Sequence, residues 1–297
     1  MQNDSFKHYL HLHFLVFIAG FTAILGDLIS IGSIPLVWFR MLIAVILMFL
    51  FVVFTKTNIK LSKKVILKFA LAGVVIALHW ITFFEAINQS NISITLATFS
   101  SGAFFASFIE PLLFKRKIKV YEIVFGVLVI LGLILITRSE FKYINGILLG
   151  ITSAFLSSLF AVINGKFIKH YNATAISIYE FISGILFITL FILIFKGGFS
   201  SEFFSLQASD WMYLFILGSV CTAYAFIASV HIMRYISPYT VVLSYNMEPV
   251  YGIILAVLLF PEKEIMSVQF YFGVLLILGI LFTDAIFKNR EKRKKAV

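Results

Sequence analysis

A glutamate lies in the middle of a stretch that is apolar enough and long enough to cross a bilayer. The stretch is 237–262, SPYTVVLSYNMEPVYGIILAVLLFPE, and Glu248 is followed directly by Pro249. About 20 apolar residues cross a bilayer core, where a charge costs on the order of 3 kcal/mol and a mid-helix proline frees a backbone carbonyl. We therefore expect this helix to line a cavity, with Glu248 binding a substrate or a proton. The alternative is a protonated or hydrogen-bonded glutamate that holds helices together.

A polar and small stripe accompanies Glu248 along the same predicted helix. Residues three, four and eight positions away share its face, and Tyr245 is a neighbour. The members of this stripe are Thr240, Ser244, Tyr251 and Gly252. The stripe predicts that one face of this otherwise apolar helix contacts water.

Two charged residues of opposite sign occupy other apolar spans. Arg40 follows Trp38 about two turns from the outer end of its span. Arg40 could hold an anionic group such as a carboxylate, or its side chain could extend to the outer headgroups. Glu180 follows Tyr179 near the inner end of its span, and it could act in the site, extend to the interface or pair with a nearby lysine.

Further candidates are a histidine, aromatic residues and small polar residues within the spans. His79 could bind a proton or stack on a substrate, or it could be a hydrogen-bonded contact between helices. The small polar residues could line the cavity or form interhelical hydrogen bonds. The complete set of candidate substrate-binding residues is Trp38, Arg40, His79, Trp80, Ser100, Ser101, Asn164, Tyr179, Glu180, Tyr224, Tyr245 and Glu248.

The composition predicts an all-α membrane protein. Hydrophobic residues make up 61% of the 297 positions and charged residues 13%, about half the charged share of a soluble domain. Ten spans of about 20 residues leave short loops and no room for a soluble catalytic domain. We place the ten spans near 10–29, 35–54, 65–87, 92–114, 120–136, 146–167, 173–195, 211–233, 237–262 and 268–287.

The net charge of +10 follows membrane topology and does not indicate nucleic-acid binding. Most Lys and Arg residues fall in one alternate set of loops, which places that set in the cytoplasm. Both termini then lie in the cytoplasm, and the number of spans is even. The sequence contains no motif for a cofactor, a metal or ATP, so we expect none of these to be bound.

The chain repeats itself. Residues 125–132 read FGVLVILG and residues 272–279 read FGVLLILG. In the same alignment Gly73 lies opposite Gly218, His79 opposite Tyr224, and Arg40 opposite Glu180. Each half has five helices, so the second half enters the membrane from the opposite side, as in inverted-repeat transporters. The predicted organisation is a first repeat at 1–137, a joint at 138–145, a second repeat at 146–287 and a basic cytoplasmic tail at 288–297.

These features resemble the EamA-type transporters of the drug/metabolite transporter superfamily. The resemblance rests on the two five-helix halves, on PLVWFRMLIA around Arg40, on MEPVYGIILAVLLFPEK at Glu248, and on the FGVL-ILG pattern. It implies a multi-pass carrier of the bacterial inner membrane, typically an exporter of amino acids or related small metabolites. It also implies a central cavity between the halves, with spans 5 and 10 at the periphery.

The sequence therefore predicts a secondary transporter that works by alternating access and is not an enzyme. Its expected partners are a small-molecule solute and membrane lipids, without nucleic acid, and the expected state is a monomer or a homodimer. Two alternatives are a membrane-embedded enzyme that uses Glu248 and His79 on a lipid-like substrate, and a non-transporting scaffold.

Overall fold

The structure is a computed structural model that describes residues 2–115, 117–232, 235–236, 241, 244–245 and 247–295. All regular elements in these residues are helical. Helices α1 to α13 are, in chain order, Gln2–Leu28, Ser33–Thr55, Lys63–Gln89, Ile92–Phe99, Gly102–Phe114, Val120–Ser139, Ile144–Phe167, Ala173–Phe195, Ala208–Gly218, Ala225–Ile232, Glu248–Leu259, Pro261–Glu264 and Val268–Lys295. Short 3-10 turns at Phe141–Tyr143 and Glu202–Phe204 and a π-helical segment at Ser219–Tyr224 lie between them.

Eight helical stretches of the described chain are long and apolar enough to cross a membrane. They are Phe6–Leu28, Ser33–Thr55, Lys63–Gln89, Ile92–Phe114, Val120–Ser139, Phe141–Phe167, Ala173–Phe195 and Ala208–Ser229. Two shorter apolar helices, Glu248–Leu259 and Val268–Ile280, fall where the ninth and tenth spans are predicted. The protein is thus a helical, multi-pass membrane protein.

The predicted fourth span is divided into two helices. Helix α4 ends at Phe99 and α5 begins at Gly102. At the break the hydroxyl of Ser100 donates to the Ala97 carbonyl over 2.5 Å, and that of Ser101 donates to the Thr98 carbonyl over 2.7 Å. Serine hydroxyls that bond to the preceding turn compete with the helical backbone bonds and favour such a break.

The predicted ninth span is also not one continuous helix. Met247 lies in a turn, and α11 begins at Glu248 with Pro249 in its first turn. Proline is well tolerated there because the first turn has no intrahelical use for its N–H. The expectation of a mid-helix proline is therefore wrong, and the predicted stripe of residues around Glu248 is interrupted. Thr240, a member of that stripe, lies outside the described residues.

Two glycines allow pairs of helices to approach each other closely where they cross. A Cβ at Gly73 of α3 would collide with the carbonyl group of Glu180 on α8. A Cβ at Gly218, where α9 ends, would lie 2.7 Å from Cγ2 of Ile43 and 3.2 Å from the carbonyl oxygen of Arg40 on α2. Small residues at such crossings let helices in a membrane pack closely. Arg40 and Glu180 consequently sit at close helix crossings.

Helices α6 and α13 pack mainly against each other. Their other faces carry large exposed apolar side chains, among them Val127, Leu131, Phe272 and Leu275. Exposed aliphatic faces of this kind suit contact with lipid. Helix α13 also continues through the predicted basic tail as far as Lys295.

A buried acidic residue connects the end of the chain's ninth predicted span to α4. Glu264, at the end of α12, is 1% exposed and accepts the backbone N–H groups of Ile92 over 3.0 Å and Ser93 over 2.8 Å. The first N–H groups of a helix lack intrahelical partners, and a carboxylate satisfies them and favours the helix dipole. This contact fixes α12 against the start of α4.

Candidate functional site

Arg40 is buried in the interior of the bundle. Its side chain is 3% exposed, so it does not extend to the headgroups. The guanidinium carbon lies 4.0 Å from the centroid of the Trp80 ring and 5.6 Å from that of Phe84, both on α3. A planar guanidinium stacks well on an aromatic face, and the attraction grows when both groups are shielded from water. Trp80 thereby fixes one face of the guanidinium.

The edge of the guanidinium is held by the π-helical segment. Arg40 donates from Nε to Oγ1 of Thr222 over 2.6 Å, and Thr222 donates to the carbonyl oxygen of Leu217 over 2.7 Å. That carbonyl lies five residues before Thr222, which is the spacing of a π-helical turn. Single π-helical turns within α-helices occur frequently at functional sites. Nη1 of Arg40 is buried and has no hydrogen-bond partner among the described residues.

Glu248 lies across from Arg40, at the start of α11. The two charges interact electrostatically, but the side chains form no direct ion pair within 4.0 Å in the described structure. Glu248 is partly exposed, and its carboxylate accepts no hydrogen bond from the described residues. A cation with a free donor and a carboxyl group without a hydrogen bond from the described residues therefore lie within electrostatic reach of each other. We call the space between these two side chains the Arg40–Glu248 gap.

Tyr245 lies beside this gap. Its hydroxyl group is 2.5 Å from Oγ of Ser229 on α10, and it lies within electrostatic reach of Glu248. The hydrogen bond holds the segment before α11 against α10. Arg40, Trp80, Tyr245 and Glu248 are thus brought together by the fold.

His79 lies within electrostatic reach of Arg40, but its hydrogen bonds are formed with α7. Its Nδ1 lies 2.9 Å from Oγ and 3.1 Å from the carbonyl oxygen of Ser153, and Ser153 also donates to the His79 carbonyl over 3.1 Å. Its ring stacks on Phe99 at 5.5 Å between centroids. These contacts join α3 to α7, and no hydrogen bond connects His79 with Glu248 in the described structure.

Glu180 and Asn164 form a second polar pair inside the bundle. Glu180 is 0% exposed and Asn164 is 5% exposed. Nδ2 of Asn164 donates to Oε2 of Glu180 over 3.2 Å. No ion pair joins Glu180 to Arg40 or to a lysine in the described part of the chain.

Other candidates lie away from the gap. Trp38 donates to Oγ1 of Thr189 over 3.0 Å and packs among Phe199, Phe203 and Phe204. The Tyr179 hydroxyl donates to the Ile59 carbonyl over 3.1 Å. The exposed Tyr224 has its hydroxyl 2.7 Å from Nε2 of His11. Ser100 and Ser101 bond to their own helix, as described above.

Two cavities in the described structure also lie elsewhere. One, of about 380 Å³, is an open depression lined by Gln89, Asn145, Leu148 and Leu149. The other, of about 20 Å³, lies between α5, α6 and α13 and includes Glu122 and Ser107. Neither contains a residue of the Arg40–Glu248 gap, so they do not define the candidate site.

The sequence did not reveal two residues that position Arg40. Thr222 accepts its Nε hydrogen bond, and Cys221 lies within electrostatic reach of its charge. The sequence feature that could have identified Thr222 is its position within an apolar span. Many threonines in such positions form hydrogen bonds only with their own helix. Neither the π-helical turn nor the crossing of α2 with this segment is visible in a hydropathy pattern.

The helical spans define the class of protein as a multi-pass membrane protein, and Arg40 is a buried charge inside its bundle. The model of the EamA-like transporter family matches residues 8–138 and 144–283, and the chain belongs to this family. No curated protein matches the sequence. A solved structure described only as "Crystal structure of protein" has a TM-score of 0.65 and 14% identity, covering 94% of this chain and 96% of that one. At this identity the likeness shows the fold alone.

Proposed function

We propose that the protein is a secondary transporter that exports amino acids or related small metabolites across the bacterial inner membrane by alternating access. The observation that carries this proposal is the gap between Arg40 and Glu248. A free amino acid has a carboxylate and an ammonium group close together. Its two charges complement the two side chains, and its remaining part can lie against the surrounding aromatic and aliphatic residues.

Arg40 binds the carboxylate of the solute at one end of this site. Trp80 and Thr222 fix the plane and the edge of the guanidinium, while the buried Nη1 keeps a free donor. Charge-assisted hydrogen bonds between a guanidinium and a carboxylate are among the stronger ones in proteins. A group held in advance loses little conformational entropy when the solute binds.

Glu248 binds the ammonium group of the solute at the other end. Its carboxylate is free of hydrogen bonds in the described structure and is partly exposed. Buried or partly buried charges persist where a partner compensates them. A bound solute would provide that partner for both side chains at once, which explains why two opposite charges are kept apart.

The two close helix crossings support an inverted arrangement of the halves. Gly73 meets the backbone of Glu180, and Gly218 meets the backbone of Arg40. In the internal repeat Gly73 corresponds to Gly218 and Arg40 corresponds to Glu180. The same crossing therefore occurs twice, each time between the third span of one half and the second span of the other. Any two-fold relation between the halves gives this pattern, and an odd number of spans in each half would place the axis in the membrane plane.

The remaining topology follows from span number and charge. The eight long spans and the two shorter apolar helices support ten crossings. The excess of Lys and Arg in alternate loops supports cytoplasmic termini. We therefore propose a ten-span carrier with a small-molecule solute as its partner.

Transport in proteoliposomes tests the proposal. Vesicles containing the purified protein are loaded with a panel of amino acids, their decarboxylated amines and their deaminated acids, and exchange against labelled amino acids is measured. We expect exchange with amino acids and little exchange with the decarboxylated amines or the deaminated acids. Absence of exchange with every amino acid, from protein that is folded, would overturn the proposal.

Two variants that each remove one charge identify the roles of the two side chains. Arg40→Gln should weaken recognition of the carboxylate, and Glu248→Gln should weaken recognition of the ammonium group. Loss of one charge-assisted hydrogen bond is worth about 1.5–3 kcal/mol, so each apparent affinity should fall roughly 10- to 100-fold. Glu202→Gln, at an exposed turn, is the matched control and should not change exchange.

A further inference from the structure

Two buried oxygen atoms between α7 and α8 have no hydrogen-bond partner in the part of the chain that the structure describes. They are Oε1 of Glu180 and Oδ1 of Asn164, and they belong to side chains that already share one hydrogen bond through their other atoms. Buried polar atoms in proteins are nearly always paired, so each unpaired atom requires an explanation. Here both atoms are acceptors in the arrangement described, and both lie at the same contact.

A carboxylate at this position would have no compensating charge. The titratable groups on the helices packed around it have other partners or point outward. Arg40 of α2 bonds to Thr222, His79 of α3 bonds to Ser153, and Lys166 of α7 bonds to the Leu113 carbonyl. On the remaining faces, Lys68 of α3 is exposed and His231 of α10 contacts Tyr235. An unpaired buried carboxylate would cost several kcal/mol.

One hydrogen atom satisfies both unpaired oxygens. A neutral carboxyl group has one O–H donor. With that hydrogen on Oε1, Glu180 donates to Oδ1 of Asn164 while Asn164 donates from Nδ2 to Oε2 of Glu180. The acid and the amide then form two reciprocal hydrogen bonds, and no charge is buried.

A proton fits this place better than a metal ion. Hard cations such as Ca²⁺ take about six to eight oxygen ligands, and Mg²⁺ demands a near-octahedral shell. The described residues at this contact offer two free oxygens. We propose that Glu180 and Asn164 form a proton-binding site, in which the proton lies between the carboxyl group of α8 and the amide oxygen of α7.

Aromatic side chains pack together near the start of α3 and the end of α7, one turn from Asn164. Phe69 is 0% exposed, and its ring centroid lies 4.7 Å from that of Phe167 and 5.3 Å from that of Tyr171. Phe167 is one turn beyond Asn164 on α7. The site binds its proton whatever solute the protein carries, so it does not depend on the proposed function.

Infrared spectroscopy of the full-length protein in lipid vesicles at neutral pH tests the site directly. The carbonyl band of a protonated carboxylic acid is separate from that of a carboxylate. We expect one such band in the wild type to be lost in Glu180→Gln, which can keep a reciprocal amide pair with Asn164. Glu202→Gln is the control and should leave the band unchanged.

A second variant retains the carboxyl group. Asn164→Leu has a similar branched shape but removes both hydrogen bonds, so the band should remain and shift in frequency. This variant tests the proposal even if Glu180→Gln does not fold. Three results would overturn the proposal: no difference in this band between wild type and Glu180→Gln, no shift in Asn164→Leu, or loss of the band on adding Na⁺ at constant pH, which would indicate a metal cation.

Discussion

The crossing of α3 with α8 provides a quantitative test of the packing. In Gly73→Ala, the new Cβ would collide with the carbonyl oxygen, the carbonyl carbon and the Cα of Glu180. These are backbone atoms, so no side-chain rotation can relieve the overlap, and the helices must separate. Overpacking of this kind costs typically 1–3 kcal/mol, and a backbone collision belongs at the upper end.

The helix propensity of alanine offsets part of this cost. Alanine is better than glycine in a helix by about 1 kcal/mol, so the net loss for Gly73→Ala should be about 2 kcal/mol. That loss would lower the ratio of folded to unfolded protein by roughly 30-fold. The matched control is Gly165→Ala on α7, where an added Cβ meets nothing within 4 Å. The control should be neutral or more stable by up to about 1 kcal/mol.

The assay is unfolding of the purified protein in mixed micelles, followed by circular dichroism as the denaturing detergent is increased. Gly73→Ala should unfold at a lower fraction of denaturing detergent than the wild type, and Gly165→Ala should not. Equal stability of the two variants would refute the close crossing. It would also remove the contact that places Glu180 inside the bundle.

Three further predictions concern single contacts. Thr222→Val removes the acceptor of the Arg40 Nε hydrogen bond at almost unchanged volume. The apparent affinity for a transported amino acid, measured by competition in vesicles, should fall at least about tenfold. An unchanged affinity would contradict the role assigned to Thr222. Glu264→Gln weakens the contact with the Ile92 and Ser93 N–H groups and should lower the free energy of unfolding by about 1 kcal/mol; a more stable variant would argue against this contact. Trp38→Phe loses the hydrogen bond to Thr189 but keeps its aromatic neighbours. The free energy of unfolding should therefore fall by about 1 kcal/mol, and the affinity for the solute should not change. A large loss of affinity would place Trp38 in the site.

The sequence predicts the span positions well where apolar runs are bounded by polar residues. The seventh predicted span, 173–195, coincides with α8, and the second, 35–54, lies within α2, Ser33–Thr55. Hydropathy reports how long a segment remains apolar, and it is insensitive to breaks within that segment. For this reason it missed the break between α4 and α5 and the π-helical segment. The start of α11 at Glu248 was signalled by Pro249, because proline favours the first turn of a helix.

The sequence identifies the charged members of the candidate site but not their partners. Arg40 and Glu248 stand out because charges are costly within spans. The stacking of Arg40 on Trp80 and its bond to Thr222 depend on how three distant segments cross. Trp38 and Tyr224 share the polarity of site residues, yet each is held by a partner away from the gap. Long-range packing separates these cases, and residue type alone does not.

Alkylation of Cys221 tests the central claim, which is that a solute occupies the space between Arg40 and Glu248. Cys221 is the single cysteine of the chain, it is 8% exposed, and it precedes Thr222, which bonds to Arg40. The rate of its reaction with N-ethylmaleimide is measured with and without a transported amino acid, and with the corresponding amine that lacks the carboxylate. The account predicts that the amino acid slows the reaction and that the amine does not. An alkylation rate that is the same with and without the transported amino acid would contradict it.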